Sequence, residues 1–448
     1  MSFMYSKTLQ NVFKKKGITI GDAVKIRSKG SDFEGILMPR PDVGDENIIV
    51  IKLRNGYNIG IRFDADVAIE RSGSAREEFS FPKGILPSNA DLPKVTLLYT
   101  GGTIGSKIDY ATGGVYMLTK PEELLYDVPE LSGIANIKVK NVMSIASEDM
   151  TYHEWQKIAE EVASALNGGA RGVVITHGTD TMHFTSAVLS FMLQGANAPI
   201  VITGSQRSSD RGSSDAFMNL ICSAHLAAKS DIAEVGICMH YSSSDDKCAF
   251  IRGTKARKMH TSRRDAFRPI NSKPIAFVTS DGAISYNSDY KKMEVGERQK
   301  VVAKTKYEPR VALVKIYPNS DPGILDFYAG KKYKGIILEG TGLGHAPVST
   351  EHKDALWLPA IKKAVDAGIV VGMTSQCLYG RVNTNVYRNL RLISSAGVIY
   401  CEDMLPETAL VKLGWLLGNY SVDKAKDLLN KNIAGEISER SDYDEFLI

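Results

Sequence analysis

Two segments of this chain share one design. Val95–Gly105 (VTLLYTGGTIG) and Val173–Thr181 (VVITHGTDT) each drive an apolar strand straight into a glycine turn carrying threonine. A strand that is apolar at every position is covered on both faces, which is the condition of a parallel sheet sandwiched by helices. The same pattern recurs in PIVITG, VGICMH, VALVKIY, GIILEG and GIVVGM, separated by segments of helix length. The chain from Val95 onward is therefore constrained to an α/β fold, and two threonine hydroxyls are delivered to the strand ends where such folds bind ligands. One connecting helix can be placed closely. Thr151-Tyr152-His153-Glu154 has the form of a capping box and opens an apolar-periodic stretch that stops at Asn167-Gly168-Gly169, which predicts a helix over Tyr152–Leu166.

The region before Val95 reads differently. Between Gly17 and Glu70, short β-prone runs (Ala23–Ile26, Glu34–Met38, Asn47–Leu53, then YNIGI after Asn55-Gly56) alternate with turn signals, and Asn-Gly between two such runs marks a hairpin. A small β-barrel-like unit or curled sheet is expected. Arg71–Lys94, rich in Ser, Gly, Pro and mixed charge, reads as a linker, and Tyr286–Arg310 as an interdomain link. The expected organisation is a β-rich domain with linker over 1–90, a large α/β domain over 91–295 and a small α/β domain over 296–448. The polar tail after Ser438 is expected to stay loose until a partner covers it.

With 448 residues the chain is long enough for two or three cores. Lys and Arg number 55 against 51 Asp and Glu, and the resulting +4 is too small to argue nucleic-acid binding from charge. Cys222, Cys238, Cys248, Cys377 and Cys401 make an odd set without metal-ligand spacing, which points to a reducing compartment and no structural zinc. The start, MSFMYSKTLQNVFKKKG, lacks the apolar centre of a secretion signal, and no run reaches the ~20 apolar residues of a membrane span. A soluble cytoplasmic protein is expected.

Three segments carry candidate chemistry. In Thr100-Gly101-Gly102-Thr103 the paired glycines let the backbone pass close to a ligand, although the same residues would also make a plain strand-to-loop turn. A phosphate loop is excluded because Gly105-Ser106-Lys107 has neither the order nor the spacing. Thr179 beside Asp180 suggests a hydroxyl with an acid nearby, and Asp180 or Thr181 also suits the N-cap of a helix starting near Met182. His177, at the end of a buried strand, reads as a hydrogen-bonded structural residue. Lys258 lies in a basic run with Arg252, Lys255 and Arg257, where neighbouring positive charge favours the neutral amine, but composition alone would make this a solvated loop. The Gly-x-Gly-x-Gly run ending in Gly344-His345 lacks the downstream features of a dinucleotide site.

Taken in order, TGGTIGS (Thr100–Ser106), ASEDM (Ala146–Met150), ITHGTDTM (Ile175–Met182), ITGSQ (Ile202–Gln206) with SSDA (Ser213–Ala216), and ARKMHTSRRDAF (Ala256–Phe267) resemble the bacterial-type L-asparaginase family from Lys94 onward. The resemblance implies a two-domain parallel-sheet core and a threonine, Thr103, that attacks a side-chain amide to form an acyl-enzyme. It implies a second constellation of Thr179, Asp180 and Lys258, and leaves open which threonine strikes first. Tyr116 would lie on a loop closing over the first threonine. Ser147 and Glu148 would hold the substrate's α-carboxylate and α-amine, with Asp180 helping to bind the amine. No metal or organic cofactor is implied in this chain. Gly344-His345 departs from the Gly-Asn common in the family, and the acid supplied by a neighbouring subunit has no assigned position.

The β-rich extension of some ninety residues, together with the TGGTIGSKIDYATG loop, resembles the ammonia-releasing subunits of archaeal tRNA-dependent amidotransferases. That resemblance implies glutamine or asparagine as amide donor and a second subunit, of the E type, that uses ATP and Mg to activate the glutamate of Glu-tRNA(Gln). It further implies tRNA recognition mainly through that partner and a homodimer within a heterotetramer. A free-standing L-asparaginase with an accessory domain is the enzymatic alternative. A binding module that has lost catalysis is the other, against which the intact Thr103, Thr179, Asp180 and Lys258 argue.

Overall fold

The computed structural model describes residues 5–38, 45–53, 58–74, 89, 91–108, 115–117, 128–208, 213–294, 296 and 299–446. The chain opens with a helix, Lys7–Lys16, that the sequence pattern does not announce. Ser6 caps it by accepting from the Leu9 N–H at 3.4 Å, Gly17 ends it at φ 62°, and Lys14, Lys15 and Lys16 complement the negative end of its dipole. Leu9 and Phe13 are its buried residues. They pack on a five-stranded antiparallel sheet formed by β1 (Asp22–Ser28), β2 (Ser31–Leu37), β3 (Ile48–Leu53), β4 (Asn58–Arg62) and β5 (Ala68–Ser74). The order is β4-β3-β2-β1-β5. Among the described residues no ladder joins β4 to β5, so the unit is the curled-sheet form of the expectation. The Asn55-Gly56 turn lies outside the described residues, and the flanking strands pair Lys52 with Asn58. The linker is shorter than expected: Arg71–Ser74 belong to β5, and Lys94 already begins the next strand, β6 (Lys94–Gly101).

After β6 come β7 (Ser106–Ile108), β8 (Val115–Met117), β9 (Asn136–Ile145), β10 (Gly172–Thr176), β11 (Ile200–Thr203), β12 (Val235–His240), β13 (Cys248–Arg252), β14 (Ala256–Lys258), β15 (Phe267–Pro269), β16 (Ala276–Val278) and β17 (Ile284–Tyr286). Eight of the strands from β6 onward form one sheet in the order β17-β16-β13-β12-β11-β10-β6-β9. From β9 to β12 it is parallel, as the apolar runs predict. Beyond β12 it turns antiparallel, because only residues 241–247 join His240 to Cys248, too few for the crossover that a parallel neighbour requires. Helices Tyr152–Asn167, Met182–Met192 and Ala216–Lys229 cover its faces. The first ends one residue beyond the expectation, and its capping box is formed: the Thr151 N–H donates to Glu154 Oε2 at 2.8 Å while Thr151 Oγ1 accepts from the His153 N–H.

A second, wholly parallel sheet orders β18 (Val311–Lys315), β19 (Gly335–Gly340), β20 (Val370–Ser375) and β21 (Ile399–Tyr400). Helix Pro406–Asn419 joins the two sheets, with Trp415 stacked on Phe191 at 5.8 Å between ring centroids inside one continuous apolar cluster. The C-terminal tail is held down, contrary to the expectation. The Ser438 N–H donates to Asp403 at 3.0 Å, Lys273 pairs with Asp444 at 2.6 Å, and Phe446 meets Tyr379 edge-on. No helix among the described residues is long and apolar enough to cross a membrane.

Candidate active site

The site is assembled where β6 and β10, adjacent and parallel with Tyr99 opposite Thr176, end at the same edge of the large sheet. Thr100 Oγ1 donates to the Thr176 carbonyl at 2.6 Å, tying the two strand ends together. Gly101 and Gly102 then take φ of 106° and 86°, a region open to glycine. The turn also requires that no side chain be present: a Cβ on Gly102 would lie 2.5 Å from the Gly178 nitrogen. Gly178 in turn leaves no room for a Cβ, which would meet Ser147 Oγ at 2.7 Å, and Thr181 Oγ1 donates to the Ser147 carbonyl at 2.7 Å. Thr103 and Thr179 each follow a member of this pressed glycine pair. The segments carrying Thr103, Ser147 with Glu148, and Thr179 with Asp180 therefore converge on one strand-end edge. Ser147 is buried and Glu148 exposed.

Lys258 comes to this edge from β14, paired antiparallel with β15. Its Nζ donates to Thr179 Oγ1 at 2.9 Å and to Asp180 Oδ1 at 2.7 Å. The lysine side chain is 10% exposed and Asp180 66%, so the ammonium is withdrawn from solvent while its counter-ion faces it. Flanking residues clamp the hairpin to the C-terminal half. Lys255 forms a fully buried ion pair with Asp403 at 2.7 Å, Arg257 pairs with Glu407 at 2.8 Å, and Asn271 Nδ2 donates to the Asp403 and Gly380 carbonyls. Burial holds the Lys255 ammonium below its usual range, against the pull of Asp403, and pushes the Glu407 carboxyl up despite Arg257. The basic run expected as a loop is thus an anchored strand.

His177 is structural, as its position implied. It is fully buried, its Nδ1 faces only the Gly178 carbonyl at 2.6 Å and so carries the proton, and its Nε2 meets Thr185 Oγ1 at 2.8 Å. Burial lowers its pKa to about 4. The unfolded chain binds a proton on this imidazole near pH 6.5, whereas the folded one resists until about 4, so stability present above 6.5 is lost as the pH falls through that window, by up to about 3 kcal/mol. His177→Gln is expected to flatten the fall in melting temperature between pH 7 and 4; an unchanged slope would contradict this account.

Other placements differ from the expectations. Thr181 occupies the N-cap position of helix Met182–Met192, but its side chain makes no capping bond, being turned to Ser147. Tyr116 lies in β8, opposite Lys107, and its side chain is outside the described residues. Gly344 sits at φ 96° in a tight return that bridges Thr341 to His345, so the glycines there serve a turn. Two residues were not singled out in the sequence: Gln206, whose Oε1 accepts from Thr179 Oγ1 at 3.5 Å, and Asp215, fully buried, which accepts the backbone N–H of Gln206 at 3.0 Å and of Arg207 at 3.1 Å. The ITGSQ and SSDA motifs were their only signal. Among the described residues no cluster of His, Cys, Asp and Glu side chains is placed to hold a metal ion.

Fold and site together define an amide-hydrolysing α/β enzyme of the asparaginase type. Residues 94–292 match the family model "Asparaginase, N-terminal", and residues 310–428 match "Glutaminase/Asparaginase C-terminal domain". The L-asparaginase of Thermococcus kodakarensis superposes with a TM-score of 0.67 at 30% identity, covering 77% of this chain and 99% of that one. L-asparaginase I of Vibrio cholerae does so at 0.66 and 30%, covering 78% and 99%. The extension matches "GatD N-terminal domain" over residues 18–71. The D subunit of glutamyl-tRNA(Gln) amidotransferase from Pyrococcus furiosus is 50% identical over 98% of this chain and 100% of its own length, and that from Methanopyrus kandleri 47% over 97% and 94%. The chain belongs to the family of glutamyl-tRNA(Gln) amidotransferase D subunits, and its core is of the asparaginase family.

Proposed function

We propose that this chain is the ammonia-releasing subunit of a complex that converts Glu-tRNA(Gln) to Gln-tRNA(Gln), with glutamine or asparagine as amide donor. The observation that carries the reading is the Lys258 ammonium bonded to both Thr179 and Asp180, beside the TGGT turn, in a chain matched end to end by D subunits. In this reading the Thr103 hydroxyl adds to the amide carbon, its proton passes to the leaving nitrogen, and the C–N bond breaks to give an acyl ester and ammonia. Water then splits the ester to the free acid. Thr179, Asp180 and Lys258 serve as the proton-handling group, since a hydroxyl needs an adjacent base to act at neutral pH. Ser147, Glu148 and Asp180 pair the charges of the amino-acid end, which must be matched once buried, and Tyr116 closes over the site. A partner subunit of the E type, using ATP and Mg, would activate the glutamate and bind the tRNA, with this chain as a cytoplasmic homodimer inside a heterotetramer.

The test compares ammonia release from glutamine and asparagine by the chain alone, with the partner subunit, and with the partner and Glu-tRNA(Gln). Release that rises at least about tenfold in the full complex supports the reading. Fast turnover of free asparagine by the chain alone, indifferent to partner and tRNA, would replace it with a free-standing asparaginase.

A further inference from the structure

We propose that Gln206 is a positioning residue of this site: its side-chain oxygen fixes the direction of the Thr179 hydroxyl proton, and its side-chain nitrogen donates to the carbonyl oxygen of a bound side-chain amide. The inference rests on the function proposed above and adds a residue to it.

Hydrogen-bond accounting leads there. Thr179 Oγ1 has one proton and two lone pairs, and Lys258 Nζ already donates into it at 2.9 Å. The hydroxyl proton is directed at Gln206 Oε1, 3.5 Å away, at the long end of a hydrogen bond and open to tightening in a complex. The same carboxamide's Nε2 is buried with no acceptor, and Ser205 Oγ, one residue earlier, is also buried without a partner. Buried polar groups are normally satisfied, so a donor left open beside a threonine already bonded to lysine is provision for a ligand acceptor.

The backbone at Gly204, Gln206 and Arg207 is closely held. Gly204 packs so closely that a Cβ would lie 2.4 Å from the His177 carbonyl and 3.3 Å from Thr179 Cγ2. Asp215 accepts the Gln206 and Arg207 amides, and Asn219 Nδ2 donates to Asp215 Oδ2 at 3.1 Å and to the Gly204 carbonyl at 2.9 Å. Asn219 is held in turn by His240, whose Nδ1 meets its Oδ1 at 2.6 Å, and His240 Nε2 meets Asp245 Oδ1 at 3.0 Å. Asp245 also accepts from Arg264, on the hairpin that carries Lys258. One polar chain therefore sets the spacing of Gln206 and Lys258 on either side of the Thr179 oxygen.

The experiment uses the full complex with Gln206→Met and Gln206→Glu, both checked for an unchanged melting temperature. Gln206→Met should raise KM for the amide donor and lower kcat, each by about tenfold, through loss of one donor and one acceptor. Gln206→Glu places a carboxylate near Lys258, favours the ammonium, and should move the acid limb of the kcat/KM profile up by about one pH unit. A structural role alone would leave that profile in place. Kinetics within twofold of the parent and a superimposable pH profile in both variants would overturn the assignment. Calorimetric binding of L-asparagine and L-glutamine to the Thr103→Val complex provides a readout without turnover, and adding Gln206→Met should weaken it about tenfold. Unchanged binding overturns the role of Gln206 alone. No binding of either amide to the Thr103→Val complex overturns the proposed function and this assignment together.

Discussion

Thr103→Val is expected to abolish glutamine-driven formation of Gln-tRNA(Gln), by at least about 10⁴-fold, while the same complex supplied with ammonium chloride keeps its rate within twofold. Valine keeps the shape of threonine and replaces only the hydroxyl, by a methyl group, so the change tests chemistry more than packing. The turn itself is set by Gly101 and Gly102, whose positive φ and close approach, to Ile145 and to Gly178 respectively, owe nothing to the residue that follows. Its strand is tied independently by Thr100 Oγ1 to the Thr176 carbonyl. The substituted protein should therefore melt as the parent does. The measurement is charged-tRNA amidation with each nitrogen source in parallel. Equal loss with both sources would mean that Thr103 supports the complex and not ammonia release.

What could be read in the sequence was whatever depended on short range. The paired glycines at 101 and 102 announce a backbone that passes close to something, which the structure shows to be Ile145 and Gly178, and Thr151 to Glu154 announces a helix start because both partners lie within one turn. The helix Lys7–Lys16 stayed hidden because its apolar side is little more than Leu9 and Phe13 amid lysines, and its stability comes from the sheet it covers. The antiparallel turn after β12 follows from the length of a loop, a feature that apolar runs do not encode. The anchoring of Lys258 was illegible for another reason: Lys255 and Asp403 stand 148 residues apart, and a lysine in a basic run looks solvated until its distant partner is placed. Gln206 was inconspicuous because a glutamine carries no charge to attract notice, and its meaning lies in a hydrogen bond to Thr179.

Lys258 bears the second large expectation. Lys258→Met should lower amide hydrolysis about 10³-fold, and Lys258→Arg should lower it nearly as much. The pair separates two roles. Methionine removes the charge and the proton, whereas arginine keeps a cation beside Asp180 but cannot give up its proton in a protein. If Lys258 only balanced the charge of Asp180, arginine would restore most of the rate; a Lys258→Arg enzyme above about a tenth of the parent would show that. Neither variant should disturb the fold. The hairpin is held by Lys255 with Asp403 and by Arg257 with Glu407, through residues close to the altered position. Asp180 is largely exposed, so removing its partner strands no buried carboxylate, and the methionine chain can follow the course of the lysine stem. A loss of rate with an unchanged melting temperature then assigns the effect to proton transfer at Thr179, the hydroxyl to which the Lys258 nitrogen is bonded.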